Sequence, residues 1–259
     1  MMDRRDQSTS ETQPEPSDGS RTRAGSTVRS LGRLLFTAVL VGGLLAGTAM
    51  LAPIAIDDLD SIGDIPITER PAPSSDPPPA GERNPEVTDP DDPGGSAYET
   101  DVETVTATTV EDFVHAEVNE RRAEHGLDPL AWDGTIASVS RAHSADMAQQ
   151  EYFSHTNPAG EGPYDRFTDV DNYCRAYGEN IAMTWVDRRV ESPDEETVVE
   201  HQTAEGLATG LVNQWMNSTD HRKAILEQHS SQGWDRAGVG VYIDDDGAVY
   251  ASQNFCREL

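Results

Sequence analysis

The chain has 259 residues, 47 acidic and 19 basic, giving a formal net charge of -28 and an isoelectric point near 4.3. Charge of that sign repels phosphate backbones and excludes a general nucleic-acid binder. With 36 % hydrophobic residues and one long apolar block, it is no polytopic membrane protein either.

Residues 1–33 form a cytoplasmic tail in this reading. From Leu34 to Ile56 no residue is charged, and 23 residues at 1.5 Å rise give about 34 Å of helix, enough for a hydrocarbon core of roughly 30 Å. Arg21, Arg23, Arg29 and Arg33 precede the block and Asp57, Asp58 and Asp60 follow it. The spacing therefore predicts a single-pass anchor over 34–56 with the C-terminal bulk outside the cell, the alternative being a secreted protein after signal cleavage. Residues 57–108 hold nine of the sixteen prolines and fourteen acids against two arginines, which predicts a disordered, extended, acidic linker. The folded domain is expected over 109–259.

Within that domain Val110, Phe113, Val114 and Val118 recur at helical spacing up to a Gly126 stop. A second helix opens at Asp133 and runs to about Glu151 on the stripe Ile136, Val139, His143 and Met147. A third carries Val199, Leu207, Leu211 and Trp215. Ala237–Ile243 and Val249–Phe255, joined by Asp244-Asp245-Asp246-Gly247, read as a β-hairpin. Helices first and a hairpin last indicate an α+β fold.

Gly-x-Ser-x-Gly, His-Glu-x-x-His, paired Cys-x-x-Cys and a phosphate-loop Gly-Lys-Ser/Thr ending are all absent, which removes the commoner hydrolases, zinc proteins and NTPases. Of seven histidines, His115, His125, His201 and His229 stand among polar neighbours and read as exposed, and His143 reads as a hydrogen-bonded core residue. His155, in Tyr152-Phe153-Ser154-His155, and His221, in Asn217-Ser218-Thr219-Asp220-His221, remain as candidates. Lys223 is the only lysine. High acid with so little lysine fits a salt-loving organism, since molar salt shortens the screening length to about 3 Å, or an ordinary acidic extracellular domain.

Val118-Asn119-Glu120-Arg121-Arg122 with Gly126-Leu127, Ala142-His143-Ser144, Phe153-Ser154-His155, Gly178-Glu179-Asn180-Ile181-Ala182, Trp215 to Arg222, Gly238-Val239-Gly240 and Gln253-Asn254-Phe255 occur in an order that resembles the CAP superfamily of cysteine-rich secretory proteins, antigen 5 and pathogenesis-related proteins. The likeness is to its prokaryotic branch and, with this acidity, to haloarchaeal members. It implies an α-β-α sandwich with a mostly antiparallel central sheet and an open cleft holding His155, Glu179 and His221. Where many eukaryotic members carry a second glutamate, this chain has Ser218. Two imidazoles and a carboxylate suit zinc or another divalent metal, or else a hydrogen-bonded network. Ser218 three residues before His221, with Glu179 behind it, is the arrangement a nucleophilic triad would need, although a helix-end role explains the serine as well. The resemblance also places Cys174, before the Gly-Glu-Asn segment, near Cys256 at the end of the last strand, so a disulfide is expected in an oxidising exterior. Three roles follow: a binding module for a small amphipathic ligand, lipid or cell-surface component, a metal-dependent hydrolase, or a structural and adhesive head on a stalk.

Overall fold

A computed structural model describes residues 71–192, 197–228 and 233–259. The expected cytoplasmic tail, the anchor over 34–56 and the first part of the linker lie outside the described residues. Among the described residues no helix is long and apolar enough to cross a membrane.

Two short strands, β1 (Ala97–Glu99) and β2 (Thr104–Thr106), pair antiparallel ahead of helix α1 (Ala107–Glu124). Thr106 caps α1 by accepting from the Thr109 amide, satisfying a donor the helix leaves open. Val110, Val114 and Val118 are fully buried on one face. The helix ends before Gly126, whose φ of +72° suits a residue with no Cβ. After β3 (Ala131–Trp132), Asp133 caps α2 (Gly134–Gln149) through the Ile136 amide at 3.0 Å. Then follow α3 (Pro163–Val170), β4 (Cys174–Trp185), β5 (Arg189–Glu191), β6 (Val198–Glu200), α4 (Ala204–Asn217), α5 (Thr219–Ile225), β7 (Arg236–Ile243) and β8 (Ala248–Glu258).

The central sheet runs in the order β3-β7-β8-β4, with β3 parallel to β7 and the other pairs antiparallel; β5 and β6 form a separate hairpin. The architecture is thus mixed α+β with helices on both faces of the sheet. Ala237, Val239, Val241, Ala251 and Phe255 pack with Leu207, Leu211 and Trp215 of α4 on one side. The alternate positions of β7 are Gly238 and Gly240, and they lie under α2. A Cβ on Gly238 would stand 2.2 Å from the Ala137 amide nitrogen and one on Gly240 2.0 Å from that of Arg141. The helix backbone therefore rests directly on the strand, and only glycine permits it.

Cys174 and Cys256 are joined, closing a loop of sequence separation 82 between the start of β4 and the end of β8. The register that brings them together also sets Glu179 opposite Asn254 and Asn180 opposite Gln253.

The described part of the expected linker is not loose. Residues 71–106 run as a strap over α1 and α2, mostly without regular structure. Arg83 pairs with Glu111 and Asp112, its guanidinium stacks 4.8 Å over Trp132, and Asp92 pairs with Arg141 at 2.8 Å. Gly81 lies against the indole of Trp132, and the indole Nε1–H donates to Glu82 O at 3.0 Å. The physical reason is charge: Glu111 is fully buried and Arg141 nearly so, and the strap brings them opposite partners. Burial pushes Glu111 up to about 7, opposed by Arg141 and Arg83. The folded unit thus begins well before residue 109.

Two further corrections concern the third helix and two histidines. Val199 belongs to β6, and α4 starts at Ala204 behind the Thr203 cap. His115 and His201 are buried, not exposed: the former stacks edge-on against Trp132 and hydrogen-bonds Asn119, and the latter lies on Gly210 of α4. His229 lies outside the described residues.

Candidate functional site

Strand β4 is an edge of the sheet, and its alternation sends Glu179 to the α2–α3 side and Asn180 to the α4–α5 side. Glu179 is the centre of the site. Its side chain is 1 % exposed, and its Oε1 accepts from His155 Nδ1 at 2.9 Å while Oε2 accepts from Arg166 Nη2 at 2.8 Å. Burial alone would raise its pKa. The His155 hydrogen bond and the charge of the Arg166 guanidinium are among the causes that outweigh it and hold Glu179 below the ordinary carboxylate value.

His155 sits in the loop between α2 and α3, its side chain 36 % exposed. Because an ionised carboxylate only accepts, Nδ1 of His155 carries a proton toward Glu179, and Nε2 is the ring nitrogen turned away from it. Arg166 fixes that loop from α3, donating from Nη1 to His155 O at 2.9 Å and to Glu161 O at 3.0 Å. His143 closes the floor. Its Nε2–H donates to Ser154 O at 3.1 Å and lies 3.9 Å from Glu179 Oε1. Burial lowers its pKa to about 4 against the pull of Glu179, so it is neutral at pH 7.

His221 occupies α5, on the other side of the β4 edge. Asn180 Nδ2 donates to its carbonyl at 3.2 Å, and its Nδ1 is buried without a hydrogen-bond partner. Burial first, then repulsion by His155, lowers its pKa to about 4. No hydrogen bond or ion pair joins it to Glu179 or His155. Ser218 ends α4 and begins α5, and its side chain makes no bond to His221. A Ser218–His221–Glu179 triad is therefore not formed.

The residues present fit a metal poorly. Both oxygens of Glu179 are already bonded, by His155 and Arg166. Among the described residues no group of three or more His, Cys, Asp or Glu is arranged to hold a metal ion. His155, Glu179 and His221 do not come together as the zinc-type ligand set their chemistry allows.

Two neighbourhoods adjoin the carboxylate. A cleft of about 430 Å³ has His143, Arg166, Asp146, Asn157 and Glu161 on its walls, with Asp89, Pro90 and Asp91 of the strap on another side. The second is apolar: Ile181, Met183 and Trp185 follow Glu179 at every second position of β4 and pack with Tyr250, Tyr152 and Phe153. Sequence reasoning missed Arg166 and the site-facing role of His143. Arg166 lies in an eight-residue helix with no motif around it, and His143 carried only the signal of an apolar stripe.

Residues 115–255 match the family model described as CAP, cysteine-rich secretory protein family. Among curated proteins the chain is 31 % identical over 150 residues to the uncharacterized membrane protein YlbC of Bacillus subtilis (strain 168), covering 58 % of this chain and 35 % of that protein. It is 30 % identical over 135 residues to the uncharacterized protein YkwD of the same strain, covering 52 % of this chain and 42 % of the relative. The chain thus spans less than half the length of either. Among solved structures, an extracellular protein containing an SCP domain from Bacillus anthracis str. Ames aligns at 31 % identity and a TM-score of 0.43, over 57 % of this chain and 40 % of that one.

Proposed function

We propose, for a chain that belongs to the CAP, or cysteine-rich secretory protein, family, that the cleft at His155 and Glu179 binds a small amphipathic molecule or an amphipathic segment of a cell-surface polymer. One observation carries the reading: along a single face of β4 a buried, charge-paired carboxylate passes directly into Ile181, Met183 and Trp185, with Phe153 two residues from His155. A polar head has the outward Nε2 of His155 to bond, and an apolar tail has a partly exposed aromatic and aliphatic strip to cover. Among the described residues no bonded nucleophile and no metal-ligand set accompanies Glu179, and binding is the chemistry proposed.

The setting is part of the same proposal. The apolar block 34–56 anchors the chain as a single pass with the domain outside, in the oxidising compartment that the Cys174–Cys256 bond requires. The acid excess is an adaptation to high salt.

The test is calorimetric titration of the full chain with 1-octanol, a neutral head on an eight-carbon tail, in molar salt. Saturable binding that weakens at least tenfold in Met183→Asp and in His155→Ala supports the reading. Absence of saturable binding, or equal binding in both variants, overturns it.

A further inference from the structure

The elbow between α4 and α5 carries a feature that neither the sheet nor the cleft uses. Asn217, Ser218 and Thr219 read Asn-x-Thr, the acceptor sequence for an N-linked sugar, with no proline at its middle. Of the eight asparagines in the chain, Asn217 is the one with serine or threonine two places on, so the signal falls on a single position. Three-residue motifs recur by chance, and the structural setting decides whether this one is usable.

That setting is open. Asn217 is the last residue of α4 and is exposed, as is Thr219 at the start of α5. Among the described residues the Asn217 carboxamide and the Thr219 hydroxyl make no hydrogen bond. Between them Ser218 leaves the helical region, with φ −82° and ψ 126°, so the three residues span a break between two helices rather than the middle of one. A sugar is bulky and hydrated, and an exposed break of this kind has room for it. The Cys174–Cys256 bond is of the kind that forms outside a reducing cytoplasm, the side on which secreted chains carry such sugars. The elbow lies on the α4–α5 side of β4, where Asn180 bonds the backbone of His221, and not on the Glu179 side.

We propose that Asn217 is a modification site, the acceptor of an N-linked sugar transferred from a membrane lipid phosphate. In the transfer Asn217 Nδ2 bonds the anomeric carbon of the sugar, the bond from that carbon to the phosphate oxygen breaks, the lipid phosphate leaves with the electron pair, and Nδ2 gives up one proton. Thr219 supplies the hydroxyl that the transferase reads two residues on and takes no part in the new bond. The proposal rests on the extracellular orientation proposed above and is independent of the amphiphile site.

The full chain, isolated from its own cells and digested with trypsin, gives one peptide that contains the site, residues 190–222, because no lysine or arginine interrupts it before Arg222. Fragmentation mass spectrometry should find that peptide heavier by one or more sugar residues, with the added mass on Asn217. Asn217→Gln and Thr219→Ala should lose the addition completely, and Thr219→Ser should keep it. An unmodified 190–222 peptide overturns the proposal, and that observation requires no variant to fold. Sugar that stays on the peptide in Asn217→Gln, linked to a serine or threonine, overturns it too. Protease added to intact cells reads the orientation separately. If the domain is cut from outside while the peptide is bare, the modification alone falls; if the domain is protected as well, the orientation falls with it.

Discussion

Replacing Asp92 with asparagine asks whether residues 71–106 belong to the fold. Arg141 is nearly buried, its side chain 6 % exposed. Its Nε lies 3.0 Å from each Asp92 oxygen and its Nη2 2.8 Å from Oδ2. Glu111, 3.1 Å away, is the other carboxylate it pairs with. Asparagine keeps the shape and one acceptor oxygen but removes the charge, so three charge-assisted contacts weaken at once. Hydrogen bonds to charged groups contribute about 1.5–3 kcal/mol, and breaking a buried ion pair costs about 3–5 kcal/mol. Because Arg141 retains Glu111, a loss of about 2 kcal/mol is expected for D92N. Arg83→Met acts on the same network from the exposed side, where screening limits the loss to about 1 kcal/mol. Both changes converge on Glu111 and Arg141, so the double variant should depart from additivity by about 0.5 kcal/mol or more. Urea unfolding followed by circular dichroism reads all three. A D92N variant within about 0.5 kcal/mol of the unaltered chain, with an additive double, would refute the strap and restore a loose linker.

Reduction of Cys174–Cys256 should lower unfolding free energy by up to about 4.5 kcal/mol, the chain-entropy value for a loop of separation 82, read as the change in urea midpoint with and without reductant. Gly240→Ala forces a Cβ into the α2 backbone and should cost at least about 2 kcal/mol by the same assay. Stability should fall as pH drops from about 6.5 to about 4: His115, His143, His201 and His221 have folded pKa values lowered to about 4, so the unfolded chain binds more protons in that window. Glu111, raised to about 7, works the other way between about 4.5 and 7, so Glu111→Gln should steepen the decline. The unfolding midpoint should rise from dilute buffer to molar salt, and a flat profile would remove the high-salt adaptation.

The helices with simple signals were legible in the sequence. Asp133 as a cap, Gly126 as a stop and the Asp244–Gly247 turn are local chemistry, visible without the fold. The strap was not, because its hold depends on single charges, Arg83 and Asp92, meeting buried partners tens of residues away in a stretch that proline makes look unstructured. Val199 was drawn into the α4 stripe by spacing alone, where the Thr203 cap marks the true start. His115 and His201 carry polar neighbours in sequence, but in space His115 packs edge-on against Trp132 and His201 lies on Gly210 of α4. At the site, His155 and Glu179 were found through motif order, but the side of β4 each group occupies follows from strand register. That register sets Asn180, not Glu179, beside the His221 carbonyl, and Arg166, which bonds Glu179 from α3, has no sequence signature.

The central claim is that the Glu179 face of β4 is a binding site for an amphiphile, and mapping a bound probe by backbone and side-chain chemical-shift changes tests it most directly. On titration with 1-octanol, the account predicts shifts concentrated at His155, Phe153, Ile181, Met183 and Trp185. Shifts concentrated instead around His201, Thr209 and Gln214, which line the smaller cleft of about 270 Å³ between α4 and the β5–β6 hairpin, would contradict it.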